Sequence, residues 1–231
     1  MRVLDLFCGA GGATQGYRAA GFTVVGVDLH PQPHYPTTFL QRDVMADVLP
    51  LDYVRQFDLI HASPPCQTYS VLAKRNANAH THPDYIAPLR EYLRSIGKPY
   101  VIENVVGAPL IAPLLLCGTM FPTLRVIRHR LFETSFPALS PAHGPHPYVH
   151  TFDKRKAHYG TTDEWNDFVQ VTGGGNCTLA AAQDAMHIDW MNKTEINQAI
   201  PPCYTEYIAT QFLRSIRPEK AWTISPTSNY T

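Results

Sequence analysis

A cysteine framed by prolines and a carboxylate closing an apolar run are the residues of this sequence that most directly suggest chemistry. Cys66 lies in Ser63-Pro64-Pro65-Cys66-Gln67-Thr68-Tyr69-Ser70, just after the strand-like run Leu59–Ala62. The two prolines fix their φ angles and remove two backbone donors, which holds the thiol at a set attitude. Free cysteines are more often inert buried thiols, but the rigid frame shifts the reading toward a nucleophile. Glu103 follows the apolar Tyr100–Ile102 directly. Charged residues seldom adjoin a core unless they are paired or functional, although a surface strand end is the plainer explanation. A thiol and a carboxylate at neighbouring strand ends suit covalent chemistry on a pyrimidine.

A second group of residues suits a nucleoside. Asp5-Leu6-Phe7-Cys8-Gly9-Ala10-Gly11-Gly12 puts three glycines where a chain leaving a strand must turn tightly and let a ligand approach its backbone. Asp28 ends the next strand, where it can accept bonds from ribose hydroxyls, and Asp43 is placed to meet the exocyclic amine of an adenine. A strand-end aspartate taken singly is more often a turn former or helix cap. The three elements in this order favour the nucleoside.

Positioning these groups calls for an alternating α/β chain. Residues 2–7 read as a strand, the segment from Gly12 to Ala20 as a helix ended by Gly21, and Val24–Val27 as a second strand, which together open a doubly wound sheet. Strands at Leu59–Ala62 and Tyr100–Ile102 flank a helix over Tyr85–Ile96, and helices are predicted at Ala180–Met186 and Tyr204–Ile216. The expected architecture is a mostly parallel, Rossmann-like sheet with helices on both faces and a small irregular lobe. The main domain is assigned to 1–136 and 173–217, a small irregular segment to 137–172, and a disorder-prone tail to 218–231.

Composition narrows the class without naming it. The 231 residues, 45% of them hydrophobic, suffice for one well-buried core. There is no apolar run of membrane-spanning length, so a soluble, cytoplasmic protein is expected, with no membrane partner. Nineteen basic residues balance nineteen acidic ones, which by itself argues against a strong nonspecific nucleic-acid binder. The basic residues nonetheless cluster at Lys74-Arg75, at Arg125, Arg128 and Arg130, and at Lys154-Arg155-Lys156, although such runs are usually solvated faces. The five cysteines lack CxxC spacing; Cys8 and Cys117 read as structural, and Cys177 and Cys203 suggest no chemistry. His143, His146, His150 and His158 lie in the irregular segment without firm ligand spacing, so no metal is expected.

Five segments, in order, make the chain resemble the DNA cytosine-C5 methyltransferase family. Asp5–Gly12 is similar to its first cofactor motif, Pro64-Pro65-Cys66-Gln67 to its nucleophile loop, and Glu103-Asn104-Val105 to its glutamate motif. Arg128-His129-Arg130 resembles its paired arginines, and Asn197-Gln198-Ala199-Ile200-Pro201-Pro202 its closing motif. The resemblance implies methyl transfer from S-adenosylmethionine, leaving S-adenosylhomocysteine, to C5 of a cytosine flipped out of double-stranded DNA. It implies Cys66, Glu103, Arg128 and Arg130 as catalytic residues. It further implies Asp5, Phe7, Cys8, Gly9, Ala10, Gly11, Gly12, Asp28, Asp43, Pro65, Asn197 and Ala199 as cofactor contacts. Gln67, Ser70, Lys74, Arg75, Lys154, Arg155 and Lys156 would then face DNA, in a restriction-modification setting.

The chain departs from the family pattern at three places. Val126 stands where glutamine usually precedes the arginine pair, and Tyr69 where phenylalanine is frequent. Only the irregular segment 137–172 occupies the place of a large target-recognition domain, so specificity is expected to be short, relaxed, or supplied by a second subunit or a second copy. That shortness also keeps other readings open: a free cytosine nucleotide or RNA as acceptor, another one-carbon donor, or a noncatalytic DNA-binding relative.

Overall fold

A computed structural model describes residues 1–69, 83–146, 149–150, 168–171 and 177–217. Its centre is a seven-stranded sheet built from β1 (Arg2–Leu6), β2 (Thr23–Asp28), β3 (Thr38–Gln41), β4 (Leu59–Ala62), β5 (Tyr100–Asn104), β6 (Leu114–Leu116) and β7 (Arg130–Thr134). The spatial order is β3-β2-β1-β4-β5-β7-β6. The first five strands pair in parallel, whereas β7 lies antiparallel to both β5 and β6. This bears out the mostly parallel α/β expectation. A short parallel pair, β8 (Val149–His150) and β9 (Phe168–Val169), forms a second sheet, and Val169 bonds through its backbone to Arg125 and Ile127.

Side-chain alternation along the strands sorts the core into two layers. Val3, Leu59 and Val101 pack on one face with α1 (Gly12–Ala19), α4 (Leu179–Met186), α5 (Lys193–Gln198) and α6 (Pro202–Ile216). Leu4, Ile60 and Ile102 pack on the other with α2 (Leu51–Val54) and α3 (Ile86–Ile96). Two residues further along from Val3, Leu59 and Val101 come Asp5, His61 and Glu103, all buried. Three polar groups therefore fall on one face toward the carboxyl ends of the strands, where ligands of such sheets bind.

Two contacts fix this frame. Helix α1 carries Gly12 and Gly16 one turn apart, and a Cβ at Gly16 would collide with the Pro202 carbonyl while one at Gly12 would meet the Ile200 carbonyl. The bare face lets α6 approach until Thr205 Oγ1 donates to the Ala13 carbonyl at 2.7 Å. On the opposite layer, Arg90 of α3 forks onto Glu133 of β7 with bonds of 2.8 and 2.7 Å, and the Ile111 amide adds a third at 2.8 Å. The latter network locks the antiparallel strand against the parallel sheet.

Candidate active site

The glycine loop leaves β1 through a left-handed turn. Phe7 has φ 57°, an unusual value for a non-glycine residue, and Gly9 and Gly11 follow at φ 49° and 86°. Nothing lies within 4 Å of a Cβ built at Gly9, so this part of the loop is open, whereas Gly11 is covered by Pro36 and Tyr35. Asp28 is tied to the loop, its carboxylate accepting from the Gly9 amide at 2.9 Å and the His30 amide at 3.0 Å. Asp43 accepts from the Met45 and Ala46 amides at 2.9 and 3.1 Å, the turn-forming employment of a short acid. Trp190 donates to the Ala10 carbonyl at 2.9 Å, and Ala199 packs beside Gly12. The closing segment around residue 199 thus lies on the loop.

Asp5 sits beneath this loop, fully buried. Thr14 Oγ1 donates to its Oδ2 at 2.5 Å and also contacts the Tyr35 hydroxyl. Among the described residues its Oδ1 has no hydrogen-bond partner, and neither has the buried Oδ1 of Asn197. Desolvation, reinforced by Asp28 and Glu103, pushes the Asp5 carboxyl up to about 7.

The Cys66 loop is pinned from β5. Asn104 Nδ2 donates to the Pro64 carbonyl at 2.9 Å, and its own Oδ1 takes the Val105 amide at 2.9 Å, which orients the amide. Tyr69, at the far end of the loop, hydrogen-bonds Asp84, which also accepts from the Ile86 amide at the start of α3. Cys66 is held half-buried between these anchors. Burial pushes its thiol up, the Arg130 charge pulls it down, and Glu103 opposes Arg130.

Glu103 and Arg130 form a buried ion pair, with Nε to Oε1 at 3.0 Å. Strand pairing explains the meeting: β5 ends and the antiparallel β7 begins at the same edge, with Asn104 opposite Leu131. Burial raises the Glu103 carboxyl, while Arg130, a bond from Ser63 and Arg128 work against that rise. Arg128 does a different job from Arg130. Its guanidinium reaches the Val171 and Asn197 carbonyls, the latter at 2.9 Å, and its own carbonyl accepts from the Tyr204 hydroxyl at 2.6 Å. It ties the closing motif to the arginine segment, and its burial draws its pKa down to about 9.

Sequence reasoning missed His61 and Asn104. His61 is fully buried, bonded to the Tyr17 hydroxyl at 3.0 Å and to Ser63 Oγ at 2.9 Å. Desolvation depresses its pKa to about 3, so it stays neutral and backs Ser63, which in turn bonds Glu103. A histidine inside an otherwise apolar four-residue strand is the signal that could have found it. Pro65 and Gln67 lie exposed on the Cys66 loop, while Ser70, Lys74, Arg75, Lys154, Arg155 and Lys156 fall outside the described residues, as does the tail 218–231.

Residues 1–108, which carry the glycine loop, Cys66 and Glu103, match the family model of C-5 cytosine-specific DNA methylases. Through these residues the chain is similar to that family. Among its curated relatives, the type II methyltransferase M.AgeI of Thalassovita gelatinovora is 31% identical, aligning 46% of this chain with 28% of its own length. M.AquIA of a Picosynechococcus strain is 30% identical over 46% of this chain and 49% of its own. The chain thus spans half or less of the length of these relatives. Its fold is similar to that of the S. pombe Dnmt2 methyltransferase (TM-score 0.58, 13% identity, 94% of this chain and 99% of that one). A prophage-encoded E. coli protein is equally close in fold (TM-score 0.59, 14% identity, the same coverage). Among the described residues no helix is long and apolar enough to cross a membrane.

Proposed function

We propose that this protein transfers a methyl group from S-adenosylmethionine to C5 of cytosine in DNA, with Cys66 as nucleophile. The observation that carries the reading is the buried Glu103–Arg130 pair, set at the strand edge beside a cysteine loop that Asn104 pins from the same strand. The donor suits what the loop offers. Two buried acceptor oxygens, Asp5 Oδ1 and Asn197 Oδ1, lack partners, and the backbone at Gly9 is open. Asp5, Gly9, Asp28 and Asn197 would hold the donor, whose sulfonium supplies an electrophilic methyl group.

The residues then divide the work on the base. The Cys66 thiolate adds to C6, forming an S–C bond and moving electron density toward C5 and N3. Glu103, drawn toward its protonated form by burial, bonds to N3 and offsets the charge arising there. Arg130 is shared between the Glu103 carboxylate and the region of the thiol, favouring the thiolate against the desolvation that opposes it. C5 accepts the methyl group, gives up its proton to water, and the C6–S bond breaks to return Cys66. His61 and Ser63 keep Glu103 in place, and Arg128 keeps the closing motif in place; all three are positioning residues. The target must leave the duplex to reach this edge, and the segment 137–172 serves as a reduced DNA-contacting lobe.

Labelled S-adenosylmethionine offered with duplex DNA, RNA or dCMP tests the proposal. Label should enter duplex DNA, and Cys66→Ser should abolish transfer while leaving donor affinity unchanged. Label in dCMP or RNA but not in DNA overturns the acceptor, and transfer by the serine variant overturns the nucleophile.

A further inference from the structure

Beside the arginine segment lies a group of side chains that the proposed reaction does not use. Cys117, just after β6, His129, between the two arginines, and His143 and His146 of the irregular segment bring one ligand atom each to within 4.8 Å of one another. Cys117 is buried, His129 half-buried, and the other two are exposed. His146 Nε2 lies 3.7 Å from Cys117 Sγ and 3.1 Å from His143 Nε2, so a single nitrogen faces two groups. The imidazole rings crowd pairwise, with centroids 4.8 to 5.3 Å apart.

We infer that Cys117, His129, His143 and His146 form a tetrahedral zinc site that fastens the arginine segment to the irregular segment. The separations fit the ion. With Zn–S near 2.3 Å and Zn–N near 2.0–2.1 Å, a tetrahedron has S···N edges of about 3.6 Å and N···N edges of about 3.3 Å. The observed 3.7 and 3.1 Å fall close to both. One thiolate with three imidazoles is a borderline-soft set of four protein ligands, which selects zinc over calcium or magnesium and leaves no open position, as in structural sites.

The surroundings are prepared for such an ion. Thr119 Oγ1 donates to Cys117 Sγ at 3.4 Å, the kind of outer hydrogen bond that steadies a thiolate ligand. The segment bearing His143 and His146 is anchored before it reaches them. Ser140 Oγ accepts from the Leu115 amide at 3.0 Å, and Tyr207 donates to the Leu139 carbonyl at 2.7 Å. A bare hydrogen-bonded cluster explains these positions less well, because His146 Nε2, with a single proton or lone pair to offer, faces both Cys117 Sγ and His143 Nε2. An ion there joins β6, the start of β7 and the irregular segment, and so holds His129 while its neighbour Arg130 meets Glu103.

The test uses the full chain purified without chelator. Elemental analysis should find about one zinc per chain after desalting. Cobalt replacing it should give tetrahedral visible bands and a thiolate-to-cobalt charge-transfer band. The charge-transfer band should vanish in Cys117→Ser, and the metal should be lost from the double variant His143→Ala/His146→Ala, whose exposed side chains can be removed without disturbing the core. Cys66→Ser should keep both metal and band, which assigns the thiolate to Cys117. Failure to retain metal after incubation with excess zinc, an octahedral cobalt spectrum, or full occupancy in the double histidine variant overturns the site. None of these readouts depends on methyl transfer.

Discussion

Replacing Asp5 by asparagine should make the protein's stability depend less on pH, and the size of the change follows from its burial. The carboxyl is fully buried, keeps one oxygen unpaired, and titrates near 7 in place of its ordinary 3.8. Its pKa is raised in the folded state, so between those values the unfolded chain has already released the proton that the folded chain retains. Stability therefore falls as pH rises from about 4 to about 7 and levels off above that. Three units at about 1.36 kcal/mol each give a contribution on the order of 4 kcal/mol. Asparagine preserves an acceptor for Thr14 and cannot ionise. Urea unfolding of both proteins across this range should show the variant gaining on the wild type as pH rises, by up to about 4 kcal/mol at neutral pH. A difference that is flat with pH, or that moves the other way, would refute a neutral Asp5 in the folded protein.

Three further outcomes are expected. Arg90→Leu strands the buried Glu133 and should cost about 3–5 kcal/mol in urea unfolding, much of it restored in the double variant Arg90→Leu/Glu133→Leu. Asp28→Ala should weaken S-adenosylmethionine binding by about 1.5–3 kcal/mol in calorimetric titration; unchanged affinity would leave Asp28 as a loop tie to Gly9 alone. Alanine at Lys154, Arg155 and Lys156 together should weaken binding to all DNA sequences and flatten its salt dependence by up to about 0.9 log unit for each phosphate no longer neutralised. An altered methylation site with an unchanged salt slope would mean instead that this run reads bases.

The parts legible in the sequence are those governed by short-range rules. The strand, glycine turn and helix of residues 2–20, the proline-framed Cys66 and the strand-end Glu103 each carry a local signal, and the structure places all of them at one sheet edge. Helix α6, expected from Tyr204, begins at Pro202, a residue that suits a first helical turn. Strands β6 and β7 escape a sequence reading because one is three residues long and the other, Arg-Leu-Phe-Glu-Thr, mixes charge with apolar residues in a way only its partners Glu103 and Arg90 explain. The meeting of Cys117 with three histidines is equally hidden, since its members come from three chain segments and one is disguised by the arginines beside it. Asp28 and Asp43 are expected to serve a ligand, yet both already serve backbone amides. His61 is readable by parity: counting in twos from Leu59 and Val101 puts it on the same face as Glu103.

The packing of α6 onto the glycine face of α1 has a consequence for how the chain is made. Thr205 and Ala13, joined in the folded protein, are 192 residues apart, and Tyr204, Ile208 and Phe212 complete the same core layer as Val3, Tyr17 and Phe22. At a ribosomal pace of about 5–20 residues per second, that layer stays open for roughly 10–40 seconds after α1 emerges. The stretch that carries the family match therefore lacks the cover of one sheet face until the C-terminal helices arrive. While it waits for its C-terminal cover, the nascent chain exposes an apolar sheet face and is a natural client for chaperones.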